Sequence, residues 1–176
     1  SSIDVIGEVT GEAARETGLL AGTPVICGGG DGSCAGVGVG CVAPGNAYNY
    51  LGSSSWVALT VEKPIVDEQR RTMNWAHVVP GMLHPSGTMQ AAGSSYNWMI
   101  NQLCQNERTL AAQSGRSVFE LIDEQIISSP IGANKLLFLP YMLGERTPRW
   151  NVDAKGAFIG LTLGHTHGDM LRAVME

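Results

Sequence analysis

The fold is decided by the stretch PVICGGGD, residues 24–31, in which a short apolar run ends in three glycines and a carboxylate. The apolar run 24–27 predicts a buried strand. Asp31 then lies just past the carboxyl end of that strand, and the small, mostly apolar residues 32–40 predict a tightly packed helix. A strand that leads directly into a helix is typical of the α/β fold class.

Upstream of this stretch, the sequence predicts a short helix with defined ends. Thr10 is suited to cap a helix over residues 11–17, because its hydroxyl can accept a backbone hydrogen bond. Gly18 is suited to end that helix in the left-handed conformation. The chain then turns at residues 19–22 and enters the predicted strand.

Downstream, the pattern changes to hairpins. Residues 44–46, Pro-Gly-Asn, predict a turn and a candidate domain boundary. The strand-like runs 47–51 and 56–61 flank a polar, glycine-led tip, which predicts a hairpin. A second hairpin is predicted where the runs 74–79 and 82–84 flank a proline–glycine pair.

The remainder of the chain alternates helical and strand-like patterns. Apolar residues at helical spacing predict helices over residues 94–104 and 117–127. Short apolar runs predict strands over residues 136–139 and 156–161. A last helix is predicted to begin at residue 169 and to run to residue 176.

The composition excludes several classes of function. Hydrophobic residues make up 44% and charged residues 15% of the 176 residues, so the chain can bury a core and is not expected to be disordered. The formal net charge of -5, with no basic run, argues against nucleic acid or an anionic membrane surface as a partner. No apolar run approaches the ~20 residues that span a bilayer.

The cysteines and the first residues of the chain indicate where in the cell the protein is located. Cys27, Cys34, Cys41 and Cys104 lack metal-binding spacing, and scattered thiols in apolar surroundings are typically reduced and buried. We therefore expect a cytoplasmic protein. The first residues lack the features of a signal peptide, and the missing initiator Met predicts that the sequence begins within a longer chain.

Three stretches spread over most of the chain form a recognisable pattern. Residues 17–31 carry TGLLAGTPVICGGGD, and residues 51–55 carry LGSSS. Residues 138–148 carry FLPYMLGERTP, residues 156–161 carry GAFIGL, and residues 169–176 continue the same spacing. In this order the stretches resemble the FGGY carbohydrate kinases, and the xylulokinase branch most closely.

This resemblance implies the actin/Hsp70-like ATPase fold, which is related to ribonuclease H and has two domains with sugar and ATP bound between them. Residues 1–44 would form the C-terminal part of the first, sugar-binding domain. Residues 45–176 would form the N-terminal part of the second, ATP-binding domain. Because parts of both domains would be missing, we expect the isolated chain to be inactive.

The resemblance also implies roles for Gly30 and Asp31. In the family, the Asp of this motif is the catalytic base that accepts a proton from the sugar hydroxyl, a role that a carboxylate can fill. Both residues would contact the substrate. The alternative is that Asp31 caps the following helix, a favoured position for Asp. Xylulokinases often have Asn after this Asp, whereas this chain has Gly32.

The second stretch implies a phosphate site at Gly52, Ser53, Ser54 and Ser55. Backbone N–H groups and hydroxyls at a glycine-led turn can bind the phosphate oxygens of ATP, and Mg²⁺ would neutralise their charge. Ser53 replaces the Thr that is usual in the family, which keeps the hydroxyl. The alternative interpretation is an ordinary hairpin turn.

A loop within the third stretch contributes two candidate contacts, Glu145 and Arg146, to substrate or nucleotide. The alternative for this pair is an intramolecular ion pair that shapes the loop. A homodimer is a further expectation, which no residue pattern supports or excludes.

The expected reaction is the phosphorylation of a sugar or polyol by MgATP, with a ketopentose such as D-xylulose as the substrate. One alternative is a non-catalytic, actin/Hsp70-like nucleotide-binding protein, because a fold does not fix a function. Another is a dinucleotide-binding oxidoreductase, suggested by the glycines of residues 36–40. Their spacing is G-x-G-x-G rather than G-x-G-x-x-G, and no strong strand leads into them.

Overall fold

The structure is a computed structural model that describes residues 1–176. The chain forms two compact units. The first unit comprises Ser1–Asn49 and Val57–Gly87, and the second comprises Tyr50–Trp56 and Thr88–Glu176. Each unit is described separately below.

The first unit begins with two strands and two helices. These are β1 (Val5–Glu8), α1 (Gly11–Thr17), β2 (Pro24–Ile26) and α2 (Asp31–Gly38). The predicted ends of α1 are confirmed: the Thr10 side chain accepts a hydrogen bond from the Ala13 amide, and Gly18 has a φ of 77°. The predicted helix after Asp31 is also confirmed.

The prediction that β2 is buried is wrong. This strand pairs only with β1, which the sequence pattern did not predict, and the two run antiparallel. Val25 is 40% exposed and Ile26 is 54% exposed. A short apolar run indicates a strand, but it does not say whether other elements cover that strand.

Four further strands form a sheet in the order β3-β4-β6-β5. They are β3 (Ala47–Leu51), β4 (Ser55–Leu59), β5 (Met73–Ala76) and β6 (Leu83–Met89). Both predicted hairpins are present. In the second hairpin, Met73 pairs with Ser86 and Ala76 pairs with Leu83 in an antiparallel register. Strand β6 extends beyond the predicted residue 84.

The rest of the second unit is mainly helical. Its elements are α3 (Gly93–Leu103), α4 (Gln105–Ser114), α5 (Val118–Ser128), a 3-10 turn (Ala133–Lys135), β7 (Leu137–Leu139), β8 (Ala157–Ile159) and α6 (His167–Met175). Helix α4 is not predicted by the sequence. It is separated from α3 at Cys104, whose φ of -108° and ψ of 46° interrupt the helix without a glycine or proline.

Apolar side chains from α3, α5 and α6, together with Cys104 between α3 and α4, form the core of the second unit. They are Met99, Ile100, Cys104, Ile122, Ile126 and Leu171. A smaller cluster of Ala133, Leu136 and Ala173 packs α6 against the 3-10 turn and the start of β7. Burying large aliphatic side chains is the main favourable contribution to folding.

The exposure of the thiols and the length of the helices can be compared with the sequence predictions. All four cysteines are free; Cys41 and Cys104 are buried, whereas Cys27 and Cys34 are exposed. The expectation of buried thiols is therefore wrong for two of them, because they lie in the partly open segment around α2. None of the helices combines the length and the apolar character needed to cross a bilayer.

Candidate active site

Three glycines bring the chain from β2 to Asp31 in the first unit. Gly28 has a φ of 73°, a conformation that glycine adopts without strain. Gly29 packs so closely against the hairpin that a Cβ on it would lie 2.1 Å from Val78 Cγ1. Gly30 is extended and precedes the first helical residue, Asp31. The glycines thus let the backbone turn sharply into α2.

The Asp31 carboxylate is exposed at the start of α2. Its Oδ1 atom accepts a 2.8 Å hydrogen bond from the Gly32 amide. The residue in the N-cap position is Gly30, without any side-chain cap. Asp31 therefore occupies the first turn instead of the cap, and its second carboxylate oxygen has no partner within the chain.

Three ring-bearing residues that the sequence reasoning missed pack beneath α2. They are Tyr48, His77 and His84, and the two imidazoles are 8% and 3% exposed respectively. The Tyr48 hydroxyl donates a 2.6 Å hydrogen bond to the Gly32 carbonyl, and it lies 3.3 Å from His84 Nε2. Tyr48 lies on β3, His84 on β6 and His77 just after β5, so no local sequence pattern indicated that they meet.

The glycine-led turn at residues 52–55 belongs to the second unit and docks on the N-terminus of α3. The Gly52 carbonyl accepts from the Gly93 amide at 2.9 Å. The Ser53 carbonyl accepts from the Ala92 and Ser94 amides, both at 3.0 Å. These contacts satisfy the first amides of α3, which otherwise lack intrahelical partners.

The carbonyls of Gly52, Ser53 and Ser54 are occupied, whereas Ser53 and Ser54 keep their donors free. The Ser54 carbonyl accepts from the Gly52 amide at 2.8 Å, and the Ser55 hydroxyl donates to the Tyr50 carbonyl at 2.7 Å. The amides and hydroxyls of Ser53 and Ser54 donate to no group of the chain. A turn with inward carbonyls and free N–H and O–H donors is suited to binding an anion.

The loop at Glu145 and Arg146 also belongs to the second unit. The Glu145 side chain is 5% exposed, and its Oε1 atom accepts a 2.7 Å hydrogen bond from the Arg146 amide. The Arg146 side chain is exposed, and no ion pair joins it to Glu145. The alternative of an ion pair is therefore wrong, because the carboxylate bonds to the backbone.

Two further contacts hold this loop. The backbone N–H and C=O of Glu145 both pair with Asn151 at 2.9 Å. The Thr147 hydroxyl is buried, accepts from the Thr88 amide and donates to the Thr88 carbonyl. The candidate contacts are thus built into a fixed loop. Gly30 and Asp31 lie in the first unit, and the other candidate residues lie in the second.

Comparisons with known proteins place these features in a family. The profile of the FGGY family of carbohydrate kinases, C-terminal domain, matches residues 47–176. A xylulose kinase of Staphylococcus epidermidis is 38% identical over 172 residues, which are 97% of this chain and 32% of that protein. A gluconokinase of Bacillus subtilis is 30% identical over 169 residues, which are 94% of this chain and 32% of that protein.

A solved structure agrees with this result. The xylulose kinase from Rhodospirillum rubrum has a TM-score of 0.74 and 35% identity over 97% of this chain and 32% of its own. The chain thus spans about a third of the length of the relatives it matches. The expected actin/Hsp70-like ATPase fold is confirmed, because it is the fold of these kinases. The chain belongs to the FGGY family of carbohydrate kinases.

Proposed function

We propose that the protein containing this sequence transfers the γ-phosphoryl group of ATP to a hydroxyl of a sugar, with a ketopentose such as D-xylulose as the substrate. Xylulose kinases are among the most similar relatives, at 38% identity for the Staphylococcus epidermidis protein. The observation that carries the proposal is the turn at residues 52–55, in which the carbonyls of residues 52–54 bond to the chain while Ser53 and Ser54 keep their donors free.

In this proposal Asp31 is the catalytic base. The hydroxyl oxygen of the sugar forms a bond to the γ-phosphorus, the bond from phosphorus to ADP breaks, and Asp31 accepts the hydroxyl proton. Its exposed carboxylate has one oxygen without a partner. A positioned general base contributes about 10²- to 10⁴-fold to a rate. Gly30, which has no side chain, leaves room for the sugar beside the carboxylate.

Phosphate oxygens of ATP would accept hydrogen bonds from the amides and hydroxyls of Ser53 and Ser54. Gly52 and Ser55 hold the shape of this turn. No group of three or more His, Cys, Asp or Glu side chains in the chain is arranged as a metal cage. Mg²⁺ would therefore be held mainly by phosphate and water, as this ion commonly is. Glu145 and Arg146 remain candidate contacts to the same ligands.

The proposal is tested with a full-length kinase that contains this sequence, in an assay that couples ADP release to NADH oxidation. D-xylulose is compared with D-ribulose, gluconate and glycerol at saturating MgATP. We expect the highest kcat/KM with D-xylulose and loss of turnover in Asp31→Asn, with the KM of the sugar little changed. Wild-type activity in Asp31→Asn would overturn the role of the carboxylate.

Gluconate is the second candidate substrate, because the Bacillus subtilis gluconokinase is 30% identical over 94% of this chain. The same assay distinguishes gluconate from D-xylulose as the substrate. A kcat/KM for gluconate above that for D-xylulose would replace the ketopentose and leave the phosphoryl transfer in place.

The protein is proposed to act in the cytoplasm, where MgATP is present. The four thiols support this location, since none forms a disulfide. Non-reducing and reducing gel electrophoresis of the protein from intact cells, alkylated at lysis, tests it. Equal alkylation of the four cysteines is not expected, because Cys41 and Cys104 are buried.

A further inference from the structure

Helix α2 presents a glycine face to three rings of the first unit. Gly32 and Gly36 are four residues apart and therefore lie on the same side of the helix. A Cβ on Gly36 would lie 3.4 Å from Tyr48 Cε1 and 3.5 Å from His84 Cε1. The backbone of α2 thus approaches these rings closely, just after Asp31.

The hydrogen bonds of Tyr48 fix the protonation of His84. The single hydroxyl proton of Tyr48 points to the Gly32 carbonyl at 2.6 Å, and a carbonyl can only accept. The contact of 3.3 Å between the Tyr48 oxygen and His84 Nε2 must then be donated by the imidazole. The Nε2 atom of His84 therefore carries a proton, and its buried Nδ1 atom has no partner.

The neighbouring His77 is fixed in the same tautomer by the chain itself. Its Nε2 atom lies 3.1 Å from the Cys41 carbonyl, so this nitrogen carries the proton. Its Nδ1 atom accepts from the Val79 amide at 2.9 Å. The centroids of the two imidazoles are 5.8 Å apart. A second neutral ring thus packs His84 in place, with both of its own nitrogens satisfied.

Hydrogen bonds on both sides of the Gly32 backbone connect these groups to the carboxylate. The His84 imidazole donates to the Tyr48 oxygen, and the Tyr48 hydroxyl donates to the Gly32 carbonyl. The Gly32 amide in turn donates to Asp31 Oδ1 at 2.8 Å. Gly32 is thereby held at its carbonyl and at its amide. It has no side chain of its own that could restrain the first turn of α2.

We propose that Tyr48 and His84 are positioning residues that fix the Asp31 carboxylate through Gly32. This inference rests on the proposed role of Asp31 as the base. With Oδ1 held by the Gly32 amide, Oδ2 is the oxygen left to receive the proton of the substrate. Burying His84 Nδ1 without a hydrogen-bond partner lowers the stability of the fold. This cost is expected if the imidazole is kept because its Nε2–H donates to the Tyr48 oxygen.

Tyr48→Phe tests the proposal in the full-length kinase, because it removes only the hydroxyl. We expect kcat to fall about tenfold, since misplacing a catalytic group lowers the rate without weakening binding. The KM values for sugar and ATP should change less than about twofold. The matched control is Trp75→Phe, which removes the donor to Ser86 on the same hairpin and leaves Tyr48 and His84 unchanged. Equal kcat values in the two variants would overturn the proposal.

Substitutions of His84 provide a second, independent comparison if Tyr48→Phe reduces folded yield. His84→Leu removes the donor, whereas the amide of His84→Gln can replace Nε2–H. We expect His84→Leu to lose as much kcat as Tyr48→Phe, and His84→Gln to recover most of it. A merely structural role predicts no such recovery. His84→Gln and His84→Leu with the same kcat would therefore contradict the positioning role.

Asp31→Asn in the same assay separates this proposal from the proposed function. If Asp31→Asn is inactive and Tyr48→Phe matches Trp75→Phe, the carboxylate is the base but the hydroxyl does not position it. If Asp31→Asn is fully active, the role of the base fails, and the positioning role fails with it.

Discussion

The Ser129 hydroxyl donates a 2.6 Å hydrogen bond to Asp169 Oδ1, which joins the end of α5 to the first turn of α6. Asp169 is 2% exposed and also accepts from the Asn134 amide group at 2.9 Å. Its other oxygen accepts from the amide and the hydroxyl of Thr166, which completes a capping box. One buried carboxylate thus organises three segments of the second unit.

Asp169→Asn is expected to lower the melting temperature by several degrees at pH 7. The hydrogen bond from Ser129, followed by those from Thr166 and Asn134, holds the pKa of Asp169 well below its ordinary value of 3.8. A carboxyl whose folded pKa is depressed stabilises the protein above pH 3.8. That contribution is lost as the pH falls through the folded pKa. Thermal unfolding followed by circular dichroism from pH 7 to pH 3 measures both effects.

The control for this prediction is Asp123→Asn, a change at an exposed position of α5. It should leave the melting temperature at pH 7 nearly unchanged. The difference between wild type and Asp169→Asn should shrink towards pH 3, because the Asp169 carboxyl of the unfolded chain then takes up a proton while that of the folded chain stays ionised. A difference that stays constant with pH would show that the ionised carboxylate is not the stabilising form.

His84 is expected to make the first unit less stable in mild acid. Burial, with a smaller contribution from His77, lowers the pKa of His84 from 6.5. Its neutral form therefore stabilises the fold above pH 6.5, and this contribution is lost as the pH falls through the lowered pKa. Tyr48 and His77 are titratable groups beside its ring, and Gly32 and Gly36 of α2 face it.

The imidazole resonances of His84 measure this effect directly by ¹⁵N NMR. We expect a neutral ring protonated at Nε2 at pH 7 and a titration midpoint below 6.5. In His84→Gln the acid sensitivity of the first unit should decrease, as measured by amide hydrogen exchange in β5 and β6. A midpoint at or above 6.5 would contradict the predicted burial of this ring.

Gly29→Ala is expected to destabilise the first unit by about 1–3 kcal/mol, the usual cost of overpacking. Its Cβ would lie 2.1 Å from Val78 Cγ1 and 3.2 Å from Cys34 Sγ. Gly38→Ala is the matched control, because nothing lies within 4 Å of its Cβ. Chemical denaturation should show that adding Val78→Ala to Gly29→Ala restores much of the stability. No restoration would mean that another contact opposes the alanine.

The sequence predicted those elements whose signals are local. The cap at Thr10 and the left-handed Gly18 were predictable because the relevant groups lie within a single helical turn of the helix they end. The break at Cys104 was not, because its φ and ψ are imposed by the packing of α3 and α4 and no glycine or proline marks it. Contacts within one helical turn therefore determine where a helix ends, whereas tertiary packing determines where a helix is interrupted.

The candidate site was predictable to the same limited degree. Asp31 could be proposed because it directly follows the glycines of its own strand. The Tyr48–His84 contact joins residues 36 positions apart, and neither residue alone suggests a role. The free donors of Ser53 and Ser54 depend on carbonyls that face residues 92–94, about 40 positions away in the chain. Contacts between residues so far apart in the sequence can be identified only from the three-dimensional structure.

Gly93→Ala is expected to weaken ATP binding by displacing the turn at residues 52–55. A Cβ on Gly93 would lie 2.5 Å from the Gly52 carbonyl oxygen and 3.3 Å from its carbon. Because these are backbone atoms, the turn must move away from α3 and lose the bonds to the Gly52 and Ser53 carbonyls. Isothermal titration of the full-length kinase with the non-hydrolysable analogue AMP-PNP should show a Kd raised about tenfold, since a phosphate-binding turn acts through fixed donors.

Gly164→Ala is the matched control, because its Cβ would lie no closer than 3.6 Å to any neighbour, the Thr162 hydroxyl. It should bind the analogue like wild type. Ser53→Ala and Ser54→Ala separate the two kinds of donor, since each removes a hydroxyl and leaves the backbone amide. Weaker binding in Gly93→Ala than in either serine variant would assign most of the affinity to the amides. Unchanged binding in all three would mean that phosphate is held elsewhere.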